Sequence, residues 1–138
     1  MNEVFILDAC ALIALINKED GTEIVEDILR RGIQGSATVM INKLNLLEVY
    51  YDAYRNYGKD PADKLVKNIN QPPIVIQSEL SEAVFKEAGR LKAMYKISLA
   101  DSVALAEASV LGGTLLTSDH HELEAVEKSE KIKFQWIR

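Results

Sequence analysis

Four acidic residues stand where charge is least expected. Asp8 directly follows the apolar run Val4-Phe5-Ile6-Leu7, and Asp119 follows Leu115-Leu116-Thr117 by two residues. Glu48 is flanked by Leu46, Leu47, Val49 and Tyr50, and Asp101 lies in Leu99-Ala100-Asp101-Ser102-Val103. Each has a plain structural role open to it. Ser98 and Asp101 fit the capping spacing Ser-x-x-Asp, Asn45 and Glu48 fit Asn-x-x-Glu, and Asp8 and Asp119 suit helix N-termini, whose dipole favours negative charge. Held together on one face, such like charges raise one another's pKa and destabilise the fold unless cations join them. Hard divalent ions with oxygen ligands are the natural partners. Two Mg²⁺ or Mn²⁺ ions ~4 Å apart can activate water, orient a phosphodiester and stabilise its leaving oxygen without a protein nucleophile.

The elements that would carry these acids alternate along the chain. Val4 to Leu7 is short, continuously apolar and rich in β-branched and aromatic residues, as in a strand covered on both faces. A buried helix over Ala9 to Ile16 follows, then a second over Gly21 to Arg31 with Ile24, Val25, Ile28 and Leu29 on one side, ended by Gly32 and Gly35. Ser36 to Ile41 reads as the next strand. Asn42 opens a helix with Leu46, Leu47, Tyr50, Tyr54 and Tyr57 at helical spacing, stopped by Gly58. Pro61 suits the first turn of a short helix, and Pro72-Pro73 breaks it before the strand Ile74 to Ile76. Ser78 to Lys96 reads as a surface helix with Leu80, Val84, Ala88, Leu91 and Tyr95 on one side, and Asp101 to Leu111 as a more buried one closed by Gly112-Gly113. The strand Thr114 to Thr117, a polar helix over Ser118 to Lys128 and a last strand over Ile132 to Ile137 complete the chain. This alternation predicts an α/β fold: a mostly parallel sheet of about five strands with helices on both faces. Such sheets bind ligands beyond the carboxyl ends of their strands, which is where Asp8 and Asp119 fall.

Composition narrows the class. The 138 residues form one domain, 1–138, since chains of this size build a single core. Lys and Arg number 16 against 21 Asp and Glu, a net charge of −5, which excludes nonspecific, salt-sensitive coating of nucleic acid. It leaves open capture of one phosphodiester by metal, and two divalent ions would bring −5 to −1. A single cysteine, Cys10, forms no internal disulfide, and neither a signal peptide nor a membrane span is legible, so a soluble cytoplasmic protein is expected.

Taken in order, Asp8 with Ala9-Cys10-Ala11, Glu48 in Asn45-Leu46-Leu47-Glu48-Val49, Asp101 in Ser98-Leu99-Ala100-Asp101-Ser102, and Asp119 in Leu116-Thr117-Ser118-Asp119 resemble the PIN domain family, nearest to its small VapC-type toxin ribonucleases. The resemblance spans essentially the whole chain. It implies a Mg²⁺-dependent endoribonuclease, with Mn²⁺ a possible substitute, whose metal lies among Asp8, Glu48, Asp101 and Asp119. Asp8 and Asp101 correspond to the family's surest ligands. It further implies an RNA substrate, a small VapB-type antitoxin and a homodimer. A PIN nuclease of RNA processing outside toxin systems, and a non-catalytic PIN-like scaffold, are the alternatives. Two features depart from the family pattern: Ala9 and Cys10 stand where a hydroxyl or amide residue is common, and His120-His121-Glu122-Leu123 where an aromatic is frequent.

Other folds with an acid after a strand fit less well. A phosphoacceptor receiver would show further acids before its strand and a strand-terminal Lys, and a haloacid-dehalogenase-type phosphatase would show Asp at position 10. No glycine-rich phosphate loop follows the first strand. Lys86, Arg90, Lys92 and Lys96, interspersed with Glu82 and Glu87, are with Lys43 and Arg55 the best local candidates for holding phosphate. Tyr50, Tyr54 and Tyr57 are expected to pack against the core or a dimer mate, His120 and His121 to lie on a solvated face, and Cys10 to be a small core residue.

Overall fold

A computed structural model describes residues 2–138. The apolar segments form strands β1 (Glu3–Leu7), β2 (Ala37–Asn42), β3 (Ile74–Gln77), β4 (Thr114–Thr117) and β5 (Lys133–Trp136). The helices between them are α1 (Ala9–Ile16), α2 (Thr22–Ile33), α3 (Lys43–Tyr57), α4 (Lys59–Ile69), α5 (Glu82–Met94), α6 (Leu99–Leu111) and α7 (His120–Ser129). All strand pairs are parallel, in the order β3-β2-β1-β4-β5, with Leu7 opposite Leu116 and Ile41 opposite Ile76.

Side chains alternate across the strands, so one sheet serves two cores. Phe5, Leu7, Val39 and Ile41 pack with Leu12, Val25 and Leu46 on one face. Ile6 and Leu115 pack with Leu91, Leu105, Leu123 and Val126 on the other. Each fully buried Leu or Ile contributes roughly 2 kcal/mol by leaving water. The sheet is therefore covered on both sides, as its unbroken apolar strands predict. No helix among the described residues is long and apolar enough to cross a membrane.

Local boundaries differ from the sequence reading in instructive places. α2 runs through Gly32 to Ile33 and turns at Gly35, whose φ of +81° only glycine adopts readily. Gly21 is obligatory at the other end: its φ is +95°, and a Cβ there would overlap the Ile137 carbonyl. α5 begins at Glu82 because the Ser81 hydroxyl accepts from the Val84 N–H, which leaves Leu80 outside the helix and 53% exposed.

The tyrosines of α3 do not join the core: Tyr54 and Tyr57 are 48% and 60% exposed. At about 100° per residue, steps of four drift some 40° each, so Tyr54 lies roughly 80° from Leu46. Val49 and Ala53, which stay near the Leu46 direction, are buried in their place.

The strand order reverses between β1 and β4. Successive units extend from β1 through β2 to β3 on one side, and from β4 to β5 on the other. The crevice at the carboxyl ends of β1 and β4 is thus the topological switch point, where open α/β sheets bind ligands.

Candidate metal centre

Asp8 and Asp119 stand at this switch point. The Asp8 N–H donates to the Leu116 carbonyl at 3.3 Å, extending the β1–β4 register by one residue. The Asp8 side chain then caps α1: its Oδ1 accepts from the Ala11 N–H at 2.8 Å. Asp119 caps α7 by accepting from the Glu122 N–H at 3.2 Å, and its own N–H donates to Thr117 Oγ1 at 3.0 Å. Asp101 sits in the first turn of α6, where its N–H donates to the Ser98 hydroxyl at 3.1 Å. Capping and clustering are therefore one arrangement. Each cap fixes the carboxylate against the start of its helix, and the helix starts meet over the carboxyl ends of β1 and β4.

Glu48 arrives from α3, and the anchor of that helix is an asparagine relay. Asn42, not Asn45, is its N-cap: Asn42 Oδ1 accepts from the Asn45 N–H at 2.8 Å, and Asn42 Nδ2 donates to the buried Glu107 at 3.0 Å. Asn45 lies inside the first turn, fully buried, with its side chain turned to two other elements. Its Oδ1 accepts from the Ala9 N–H at 3.1 Å, and its Nδ2 donates to the Ala100 carbonyl at 3.1 Å. One amide thus bonds the residue after Asp8 and the residue before Asp101 from the helix that carries Glu48. Asn45→Leu keeps the volume but strands the Ala9 N–H in the core, which is expected to cost about 2 kcal/mol. Thermal melting of the variant checks this, with a cleavage defect larger than the stability loss explains.

The structure brings all four predicted acids into electrostatic contact and adds a fifth. Oxygens of Asp101, Asp119 and Glu122 lie within 4.8 Å of one another. Asp8, 1% exposed, is pushed up to about 7, chiefly by burial, with Asp119 and Glu48 adding to the shift; the Thr117 hydroxyl and the Ala11 amide oppose it. Burial raises Glu48 as well, followed by Glu122 and Asp119. Asp101 is raised chiefly by its own burial, and Glu122 chiefly by a hydrogen bond to Asp101. Cys10, half-buried among these acids, is pushed up to about 12 by burial and their charges, so its thiol stays neutral and is no nucleophile.

Glu122 escaped the sequence reading because it sits in a polar helix among Glu124, Glu127 and Glu130. The signal was the spacing Asp119-x-x-Glu122, which puts both carboxylates on one helical turn. The basic candidates fare differently. Arg90 is held by Glu87 and Glu130 at 2.7 Å each, and this pairing turns it away from phosphate binding. Lys43, at the first position of α3, Arg55, stacked at 5.5 Å over the Tyr51 ring, and Lys96 are exposed.

The donor set suits a hard divalent cation. It is all oxygen, and Asp8 Oδ2 is buried with no partner at hydrogen-bond distance among the described residues, a state that costs energy unless a cation meets it. A parallel α/β sheet with such a cluster at its switch point suits metal-assisted chemistry on a phosphate ester. A family model of the PIN domain matches residues 5–129, and the chain belongs to that family.

Solved structures of the same fold include a DNA-bound VapBC from Salmonella typhimurium, 16% identical with a TM-score of 0.72 over 100% of both chains. VapBC-1 from nontypeable Haemophilus influenzae is 15% identical with a TM-score of 0.72, covering 97% of this chain and 98% of that one. Mycobacterium tuberculosis VapC20, described as a sarcin-ricin loop cleaving toxin, is 15% identical with a TM-score of 0.63, covering 88% and 94%. At these identities the likeness is one of fold. No curated protein matches the sequence.

Proposed function

We propose that residues 1–138 act as one unit, a Mg²⁺-dependent endoribonuclease in which Asp8, Glu48, Asp101 and Asp119 hold the metal, with Mn²⁺ as substitute. The observation that carries this reading is the partnerless buried Asp8 Oδ2 within a cluster of five carboxylates. A divalent ion bound there supplies Lewis-acid activation of water and stabilises charge developing on the phosphodiester. The chain's own part is positional. The caps at Ala11, Ser98 and Glu122 fix the acids, and the Asn45 amide sets α1 and α6 at a constant separation. Glu122 adds a carboxylate able to accept a proton or bond a water at the edge of the cluster. Lys43, Arg55 and Lys96 are the cations left to hold flanking phosphates.

The nucleophile in this reading is water. The neutral Cys10 thiol cannot serve, and a divalent ion held by these acids would activate water without need of the 2′-hydroxyl. Water adds to phosphorus and the P–O3′ bond breaks, so cleavage should leave 5′-phosphate and 3′-hydroxyl ends and no 2′,3′-cyclic phosphate. Purified protein incubated with RNA in Mg²⁺ tests this: metal-dependent cutting with 5′-phosphate and 3′-hydroxyl ends supports it, and cutting that survives EDTA or leaves 5′-hydroxyl ends overturns it.

The family and the VapBC structures that share the fold support a biological setting in this reading: a cytoplasmic toxin, a VapB-type antitoxin that neutralises it, and a homodimer. Leu80, Phe85 and Leu99 line an exposed groove of about 620 Å³ between α5 and α6, an apolar face of the kind a second copy requires.

A further inference from the structure

Three rings stand in a row beside the acid cluster. His120, the residue after Asp119, stacks on Trp136 with ring centroids 3.9 Å apart and planes 14° apart. Trp136 stacks in turn with Phe134 at 5.3 Å and 20°. The row is fixed at its edges. Trp136 Nε1 donates to Glu127 at 3.0 Å, His120 Nδ1 pairs with Glu124 at 3.0 Å, and His120 Nε2 bonds the Arg138 carbonyl at 2.7 Å. Arg138 is itself tied to Glu19 and to the Asp20 carbonyl.

These bonds determine what His120 can do. Both ring nitrogens face oxygen acceptors, the Glu124 carboxylate and the Arg138 backbone oxygen, so the edge of the ring is engaged and its free face is what remains for a ligand. One face of the imidazole lies on Trp136, yet the side chain is still 45% exposed. A flat, pre-positioned ring one residue from a carboxylate of the cluster is left, at the carboxyl edge of the sheet. Bases of single-stranded RNA stack on such rings, histidine included, and the rigidity of the platform spares the ordering cost that a free side chain incurs.

We propose that His120 is a substrate-positioning residue on which a nucleobase beside the cleaved phosphodiester stacks, continuing the row begun by Phe134 and Trp136. The proposal rests on the ribonuclease reading above. It also explains how a chain of net charge −5 holds RNA near its acids: the base supplies contact that the phosphates cannot.

Trp136 is the sole tryptophan, so its emission reports directly on the stack. The test adds a short single-stranded RNA with uncleavable linkages to the protein in Mg²⁺ and follows Trp136 emission, alongside steady-state cleavage of the same sequence. Wild type should change its emission on binding. His120→Ala should raise KM and the dissociation constant at least about tenfold with kcat little altered. His120→Phe keeps a ring face but loses both nitrogen bonds, and should recover most of the affinity. An abasic nucleotide at one position beside the cut should weaken wild type to the same degree and leave His120→Ala unaffected.

If wild type cuts and binds RNA but His120→Ala does so equally well, the stacking is wrong and the nuclease reading stands. Failure of His120→Phe to recover affinity would assign His120 to tethering the chain end and overturn the proposal. If wild type neither binds nor cuts RNA, both fall.

Discussion

Asp8→Asn is expected to lower RNA cleavage about a thousandfold while raising the melting temperature of the metal-free protein at pH 8. The two effects have one cause. The Asp8 carboxyl is buried, one oxygen is occupied by the Ala11 N–H, and the other has no partner. Without a cation, ionising this group costs energy, which is why burial pushes its pKa up to about 7. Asparagine keeps the acceptor that caps α1 and removes the charge, so several kcal/mol of electrostatic penalty disappears. The same change removes a ligand oxygen and weakens charge stabilisation at the reacting phosphate, where losses of this size are expected. A residue that served only to cap its helix would show no cleavage loss. Calorimetry and a cleavage assay on one preparation check both.

Raising the pH from 5 to 8 is expected to lower the melting temperature of the metal-free chain by roughly 10 °C, and saturating Mg²⁺ should cancel the fall. The sign follows from Asp8, whose pKa rises from 3.8 in the unfolded chain to about 7 in the folded one. Between these values the folded state binds the extra proton, so this contribution is complete below about 3.8 and is lost as pH rises through about 7. For Asp8 the whole difference amounts to about 4 kcal/mol, of which roughly 3 kcal/mol falls between pH 5 and 8. Asp101 and Glu122 are shifted the same way and add to the slope. Glu87 and Glu130 are shifted down by Arg90, so they act only below their ordinary range and leave this window unaffected. His120 is raised by its bond to the Arg138 carbonyl and shares the direction, but it is exposed and screened. Melting curves of Asp8→Asn isolate the Asp8 share. A metal-free melting temperature that stays level or climbs across this range would contradict the account.

Much of this was legible because caps and candidate ligands coincide. Asp8 and Asp119 are visible as acids just past apolar strands, and Asp101 as an acid inside an apolar helix. The alternation of apolar strands with helices likewise sufficed for a parallel sheet with two covered faces. What escaped depended on facing elements rather than on local pattern. Asn45 reads as a cap for its own helix, and only the approach of α1 and α6 turns its amide into a brace. Glu122 reads as a solvated helix residue until Asp101 is brought across to it. His120 reads as surface because its Trp136 partner lies on the last strand, 16 positions on. The α3 tyrosines mislead in the opposite sense: their apolar spacing is regular, but its phase drifts off the core.

The central claim is that the carboxylates at the β1–β4 switch point hold a divalent cation, and the most direct measurement is calorimetric titration of Mn²⁺ into metal-free protein near pH 7. The predicted result is saturable binding with proton release, visible as heats that scale with buffer ionisation, because Asp8 must lose its proton to ligate. Asp8→Asn and Asp101→Asn should abolish or greatly weaken it. No binding at millimolar Mn²⁺, or equal binding by both variants, would contradict the account.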